Sequence, residues 1–126
     1  MNTLRVGIAS YEEMKARTLA IARGQLKPGP QDPKVWFTST ESMARVLSAK
    51  NRDLLEIIRL KAPQSLTELA EQTGRKKPNL SRTLKTMARY GLVRVCPGAR
   101  GRLMHKVPYK RVEVFVELST TAGSGR

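Results

Sequence analysis

Apolar residues at every second position, Leu4, Val6 and Ile8 with Arg5 and Gly7 between them, give the chain's first segment the period of a short strand. From Ser10 the period lengthens. Tyr11, Met14, Thr18 and Ile21 recur at helical spacing, Ser10 and Glu13 have the separation of a reciprocal capping box, and Gly24 suits the stop. Residues 27–33 hold three prolines and a glycine, which marks a loop, and Val35-Trp36-Phe37 follows as a second strand. Residues 1–38 therefore predict a β-α-β segment.

The next stretch is helical in three pieces. Ser39 or Thr40 begins a short helix running to Leu47. Ser48 caps one that continues to about Lys61, with Leu54, Leu55 and Ile58 on one face and Pro63 beyond its end. Ser65-Leu66-Thr67-Glu68 has the form of a second capping box, and Leu66, Leu69 and Ala70 form the apolar stripe behind it. Gly74 suits the left-handed position that ends a helix, and Pro78 the first turn of the following one, whose inward face is Leu80, Leu84, Met87 and Ala88. Two short helices across a tight glycine turn predict a helix-turn-helix. After Gly91 the period is that of strands at 92–96 and 103–107 around a glycine-containing loop. Val112, Val114, Val116 and Leu118 then alternate with Glu113, Phe115 and Glu117, and Phe115 on the opposite side predicts burial on both faces. The tail TTAGSGR, residues 120–126, reads as disordered. The expected fold class is α+β: a winged helix-turn-helix over residues 39–108, preceded by the β-α-β segment and followed by a C-terminal strand at 109–119 packing against it.

Charge changes this picture from a fold to a surface. The 126 residues carry 24 Lys and Arg against 10 Asp and Glu, a net charge of +14. Between Arg75 and Arg111 there are twelve cations and no acid, whereas residues 1–74 hold eight acids beside eleven cations. Because the basic part has folded periodicity, it is a structured cationic surface, and polyanions are the partners that such a field selects. The single cysteine, Cys96, forms no intrachain disulfide and fits a reducing compartment. The first residues, MNTLRVGIASYEE, lack the apolar core of a signal peptide, and no run approaches a membrane span, so a cytoplasmic location with no membrane association is expected.

The segments Ser65-Leu66-Thr67-Glu68-Leu69-Ala70, Gly74, Asn79-Leu80-Ser81-Arg82-Thr83-Leu84 and Tyr90-Gly91-Leu92-Val93 resemble those of MarR-like winged helix-turn-helix transcriptional regulators. Within that group the whole layout is similar to a set of short bacterial and archaeal proteins taken to bind DNA. That set has a β-α-β preface and a Val-Pro-Tyr segment before the last strand, as Val107-Pro108-Tyr109 stands here. Some of that set resemble the antitoxin of TumE–TumA toxin–antitoxin pairs. The resemblance implies a sequence-specific double-stranded-DNA-binding regulator, a repressor by occlusion, and, in its close variant, an antitoxin that grips a toxin protein and autoregulates its operon. The long dimerising helices of MarR-like regulators have no counterpart here, so effector binding is not carried over.

A helical wheel with Leu80, Leu84 and Met87 inward turns Arg82 and Arg89 outward, flanked by Asn79, Lys85 and Thr86. The N-terminal half of such a helix meets base edges in the major groove, which selects Asn79 and Arg82 for direct readout: Asn is bidentate to adenine, Arg to guanine. Lys76, Lys77, Ser81 and Lys85 suit phosphates, which position without reading sequence, and Arg75 joins them in the candidate DNA-binding set. Arg100 and Arg102 on the basic loop suit an adjacent minor groove, although short hairpins are also basic for solubility alone. Arg75-Lys76-Lys77 taken by itself is an ordinary solvated turn; beside Asn79 and Arg82 it becomes part of an interface.

Nothing in the chain points to catalysis, a metal or another cofactor. His105 is the only histidine, and neither a zinc site nor a Ser-His-Asp set has its partners. Cys96 reads as a half-buried strand cysteine before a redox switch. An RNA- or ribosome-binding protein shares the charge but requires stacking aromatics, and the six aromatics (Tyr11, Trp36, Phe37, Tyr90, Tyr109, Phe115) fall off the basic helix face. The terminal strands and the helix at residues 10–24 predict a sheet that supports a homodimer, pairing two reading heads on a pseudo-palindrome.

Overall fold

The structure, a computed structural model, describes residues 2–116 and 118. It is a mixed α+β fold. In chain order the elements are β1 (Thr3–Ile8), α1 (Tyr11–Ala22), β2 (Val35–Phe37), α2 (Thr40–Val46), α3 (Ala49–Lys61), α4 (Leu66–Thr73), α5 (Lys77–Arg89), β3 (Arg94–Pro97), a 3₁₀ turn (Ala99–Gly101), β4 (Leu103–Lys106) and β5 (Arg111–Val116).

Two sheets are present among the described residues. β1 lies between β2 and β5 and is parallel to both, with Val6 opposite Val35 and Val114, and Gly7 opposite Trp36 and Phe115. Parallel neighbours need a crossover, and α1 supplies it between β1 and β2. β3 and β4 form a separate antiparallel hairpin. Leu4, Val6 and Phe37 on one face of the first sheet meet Leu54 and Ile58 of α3, Leu69 of α4, Leu80, Leu84 and Met87 of α5, and Leu92 and Val93 in one buried cluster. One face of the sheet and the helices thus share a core.

Serines start the first four helices. Ser10, Ser39, Ser48 and Ser65 each accept a hydrogen bond from the backbone N–H three residues on. Ser39, not Thr40, caps α2. The Ser10–Glu13 box is reciprocal, with Ser10 N–H donating to Glu13 Oε1 at 2.7 Å. The expected box at Ser65 is only half formed: Glu68 Oε1 accepts from Gln64 N–H at 2.8 Å, so the carboxylate secures the residue before the cap. Gly74 has φ +73°, the left-handed conformation anticipated for it.

Several expectations are corrected. Tyr11 and Thr18 do not face inward; Tyr11 is 75% exposed, and the half-buried side of α1 is Met14, Arg17 and Ile21. Met14 and Ile21 keep their place in the spacing, but between them Arg17 is the residue held inward, by the Trp36 ring and Asp32. Leu92 and Val93 precede β3, drawn into the core after the positive φ of Gly91, and Val107 follows β4. The last strand stops at Val116. Leu118 is outside it and 99% exposed, while Glu117, Ser119 and the tail 120–126 lie outside the described residues. Phe115 is 40% exposed and not buried on both faces, because β5 is the edge of its sheet.

The outer face of that sheet has one tight point. Gly7 lies under the Trp36 ring, and a Cβ there would fall within contact distance of Cε3 and Cζ3. From α1, the Arg17 guanidinium sits 5.3 Å from the ring centroid and also donates to Asp32 Oδ2 at 3.1 Å. Asp32 Oδ2 accepts from Gly29 N–H as well, and these bonds hold its carboxyl below the usual carboxylate value. Gly7→Val should displace the indole and destabilise the fold by about 1–3 kcal/mol. Trp36 is the sole tryptophan, so its emission reports the displacement directly; an unchanged spectrum and unchanged urea midpoint would remove the packing role from Gly7.

Candidate nucleic-acid interface

α4 and α5 pack against each other across the short link at residues 74–76, and the apolar side of α5 faces the core through Leu80, Leu84 and Met87. Burial of those three residues sets the rotation of the helix. Asn79, Arg82, Lys85 and Arg89 are consequently exposed, with Ser81 and Thr86 half-buried beside them. α5 contains no acid, and among the described residues the ion pairs are Arg5–Glu113 and Arg17–Asp32, neither involving a cation between residues 75 and 111. The cations of this surface are left to solvent.

The N-terminus of α5 differs from the other four. Lys76 is the N-cap residue and provides no side-chain hydrogen bond, and Lys76 and Lys77 place positive charge at the positive end of the helix dipole. Both features work against the helix in isolation. An anion near this end would offset them.

Hydrogen bonds already engage part of the anticipated set. Arg82 Nη2 donates to Asn79 Oδ1 at 2.6 Å, one turn apart on the exposed face. Thr86 Oγ1 donates back to Arg82 O, which ties its hydroxyl to the helix. Arg75 Nη2 donates to Lys50 O at the start of α3, so half-buried Arg75 braces the link while Lys76 and Lys77 stay exposed.

The β3–β4 hairpin stands beside α5, and a cleft of about 510 Å³ separates them. Its wall is mostly apolar, from Leu66, Leu84, Ala88, Val95 and Leu103, and it also takes in Ser65 and Thr67 of the α4 start, Ser81 and Lys85 of α5, and Arg102 and His105 of the hairpin. Ser81, Lys85 and Arg102 are thus brought together around one opening. Arg100 is at the hairpin tip in left-handed backbone with φ 59°, exposed, and Arg89 is at the opposite end of α5. Single-chain reasoning did not select Ser65 and Thr67, whose serine-threonine spacing signalled only a cap. It also passed over Arg94 and Lys106, exposed cations directly opposite each other on the hairpin. Like charges in that relation are destabilising, and only strand register reveals them.

His105 is half-buried in the wall of the cleft, and burial lowers its imidazole below the ordinary value. The unfolded chain then binds a proton more readily than the folded one. Stability from this group is complete above the unfolded pKa near 6.5 and diminishes as pH falls toward the folded value. Urea unfolding of wild type and His105→Gln should therefore diverge between pH 7.5 and about 5.5, wild type losing the more stability. Parallel curves would show that His105 titrates alike in both states.

Residues 46–114 match the model of the HVO_A0114 family, more than half of the 126 residues. The chain belongs to the HVO_A0114 family. The matched stretch contains α3, α4, α5, the hairpin and the first part of β5, and with them every candidate interface residue; β1, α1 and β2 lie before it. No curated protein and no solved structure matches the chain. Among the described residues of this HVO_A0114-family protein, no group of three or more His, Cys, Asp or Glu is arranged to hold a metal, and no helix is long and apolar enough to cross a membrane.

Proposed function

We propose that this chain is a winged helix-turn-helix protein that binds double-stranded DNA in a sequence-dependent way and represses transcription by occupying its site. In this reading α3 supports the motif, α4 and α5 are its two helices, and the β3–β4 hairpin is the wing. The observation that carries the proposal is the outward face of α5: Asn79, Arg82, Lys85 and Arg89 exposed together, without an acid on the helix or an ion-pair partner among the described residues. A helix about 10–12 Å across enters a B-form major groove. Arg82, in the N-terminal half, meets base edges, while Lys76, Lys77, Ser81 and Lys85 meet phosphates on either side. Arg100 and Arg102 extend the contact toward the neighbouring minor groove. The protein acts by occupancy and carries out no reaction.

The aromatic rings support duplex DNA over single-stranded RNA. Tyr90 is stacked on Phe37, Tyr109 packs on the core, and Trp36 lies between Gly7 and Arg17, while the exposed rings, Tyr11 and Phe115, are on α1 and β5 and not on α5 or the hairpin. Two copies acting together fit a pseudo-palindromic site, and exposed Val114, Phe115 and Val116 on the sheet edge give a second copy a surface to meet.

A salt titration on a site selected from random duplexes tests the reading. With about 6–10 phosphate contacts made by a pair of copies, affinity should fall by roughly 10³–10⁵ between 50 and 200 mM salt while preference for the selected site persists. Failure to enrich any duplex, or tighter binding of single-stranded RNA of random sequence, would overturn it.

A further inference from the structure

We infer that Asn79 is not an independent reader of a base but the residue that positions the Arg82 guanidinium for a guanine. The inference rests on the DNA-binding reading above and adds a division of labour within it. Arg82 Nη2 donates to Asn79 Oδ1 at 2.6 Å, a short bond from a charged donor. The two residues are three positions apart on one exposed helical face, where no acid competes for the guanidinium. A free arginine on a helix samples many rotamers, and holding it in one geometry removes that ordering cost at the moment of binding.

Donor and acceptor accounting supports this role. The guanidinium has five N–H donors in a planar fork, and one of them, on Nη2, goes to Asn79. The remaining Nη2 hydrogen, with Nε or Nη1, still forms the parallel pair that guanine O6 and N7 accept. For Asn79 the consequence is different. Bidentate contact with adenine needs Oδ1 to accept from N6 while Nδ2 donates to N7, and Arg82 already takes one of the two Oδ1 acceptor sites, so an adenine amino group would have to share that oxygen with the guanidinium. Behind the pair, Thr86 Oγ1 on the Arg82 carbonyl fixes the next turn of the same face. Asn79 therefore orients the reading group, and its amide Nδ2 donors alone do not enforce adenine.

The test is base preference measured by enrichment from a random duplex library, for the full-length wild type, Asn79→Ala, Arg82→Ala and the double variant. Arg82→Ala should abolish preference at one guanine, a loss of about 5- to 150-fold in discrimination. Asn79→Ala should weaken preference at that same guanine by about three- to tenfold, with no adenine position relaxed. In the Arg82→Ala background, adding Asn79→Ala should change preference there no further. Both side chains are exposed, so thermal unfolding midpoints should stay at the wild-type value, which separates positioning from a folding defect. Relaxation at a distinct adenine in Asn79→Ala, or additive losses in the double variant, would overturn the inference while leaving DNA binding intact. Absence of duplex binding by wild type would instead remove the underlying reading.

Discussion

Arg82→Ala should leave a protein that still binds duplex DNA but no longer distinguishes its selected site from others at the position Arg82 reads. The expected loss is about 1–3 kcal/mol of discrimination, the scale of one bidentate guanine contact. Lys85→Ala should behave differently. Lys85 is exposed and lines the same cleft as Ser81 and Arg102, where a phosphate is the expected neighbour, so all sequences should weaken together and the salt slope should fall by about one. Competition binding at fixed ionic strength, followed by titration from 50 to 200 mM salt, separates the two outcomes. Equal loss of specific and random binding from both substitutions would remove Arg82 from the base edge and reduce the surface to a general polyanion binder. The contrast follows from position: both residues are exposed cations of one helix, but Arg82 is nearer its N-terminus and fixed by Asn79.

Phe37→Ala should be the most damaging single truncation of the fold. Phe37 is fully buried, closes β2, and stacks on Tyr90 at 4.3 Å with the rings 21° apart. Tyr90 is the C-cap residue of α5, so this ring pair ties α5 to the parallel sheet. Removing a buried phenyl costs about 3–5 kcal/mol through lost transfer energy and the cavity that remains. Domains of this size are stable by about 5–15 kcal/mol, so the change consumes a large part of the total. Urea denaturation should show the midpoint falling with little change in slope. Phe115→Ala, on the exposed sheet edge, is the control and should change the monomer by less than about 0.5 kcal/mol. Comparable effects from the two phenylalanines would mean that the β2–α5 stack is not a principal support.

The helices and their caps were legible because they depend on neighbours a few residues away. Ser10 with Glu13, Ser48 before Ala49, Gly74 and Pro78 each act within one helical turn, and the structure has them acting there. The face of α5 was equally readable, since Leu80, Leu84 and Met87 are separated by whole turns and all three are buried. Legibility failed where the partner came from far along the chain. Helical spacing grouped Tyr11 and Thr18 with Met14 and Ile21, but only the latter two are half-buried, and Arg17 beside them meets Trp36 and Asp32, which lie far along the chain. Phe115 was expected to be covered on both faces, yet strand order left β5 at the edge.

The candidate site divides in the same way. Which cations exist and which helix presents Arg82, Lys85 and Arg89 were determined by the sequence alone, because an amphipathic helix orients itself once its apolar stripe finds a core. The tertiary structure decided that Arg102 and His105 share a cleft with Ser65, Thr67 and Lys85, that Arg75 turns back to Lys50, and that Arg94 stands opposite Lys106. Those relations join elements through hairpin register and helix packing, which depend on distances between distant residues that no local period encodes. The parallel sheet is the clearest case: two alternating segments and one short apolar run announce strands, but only the crossover through α1 and the return of β5 to the side of β1 choose their order and direction.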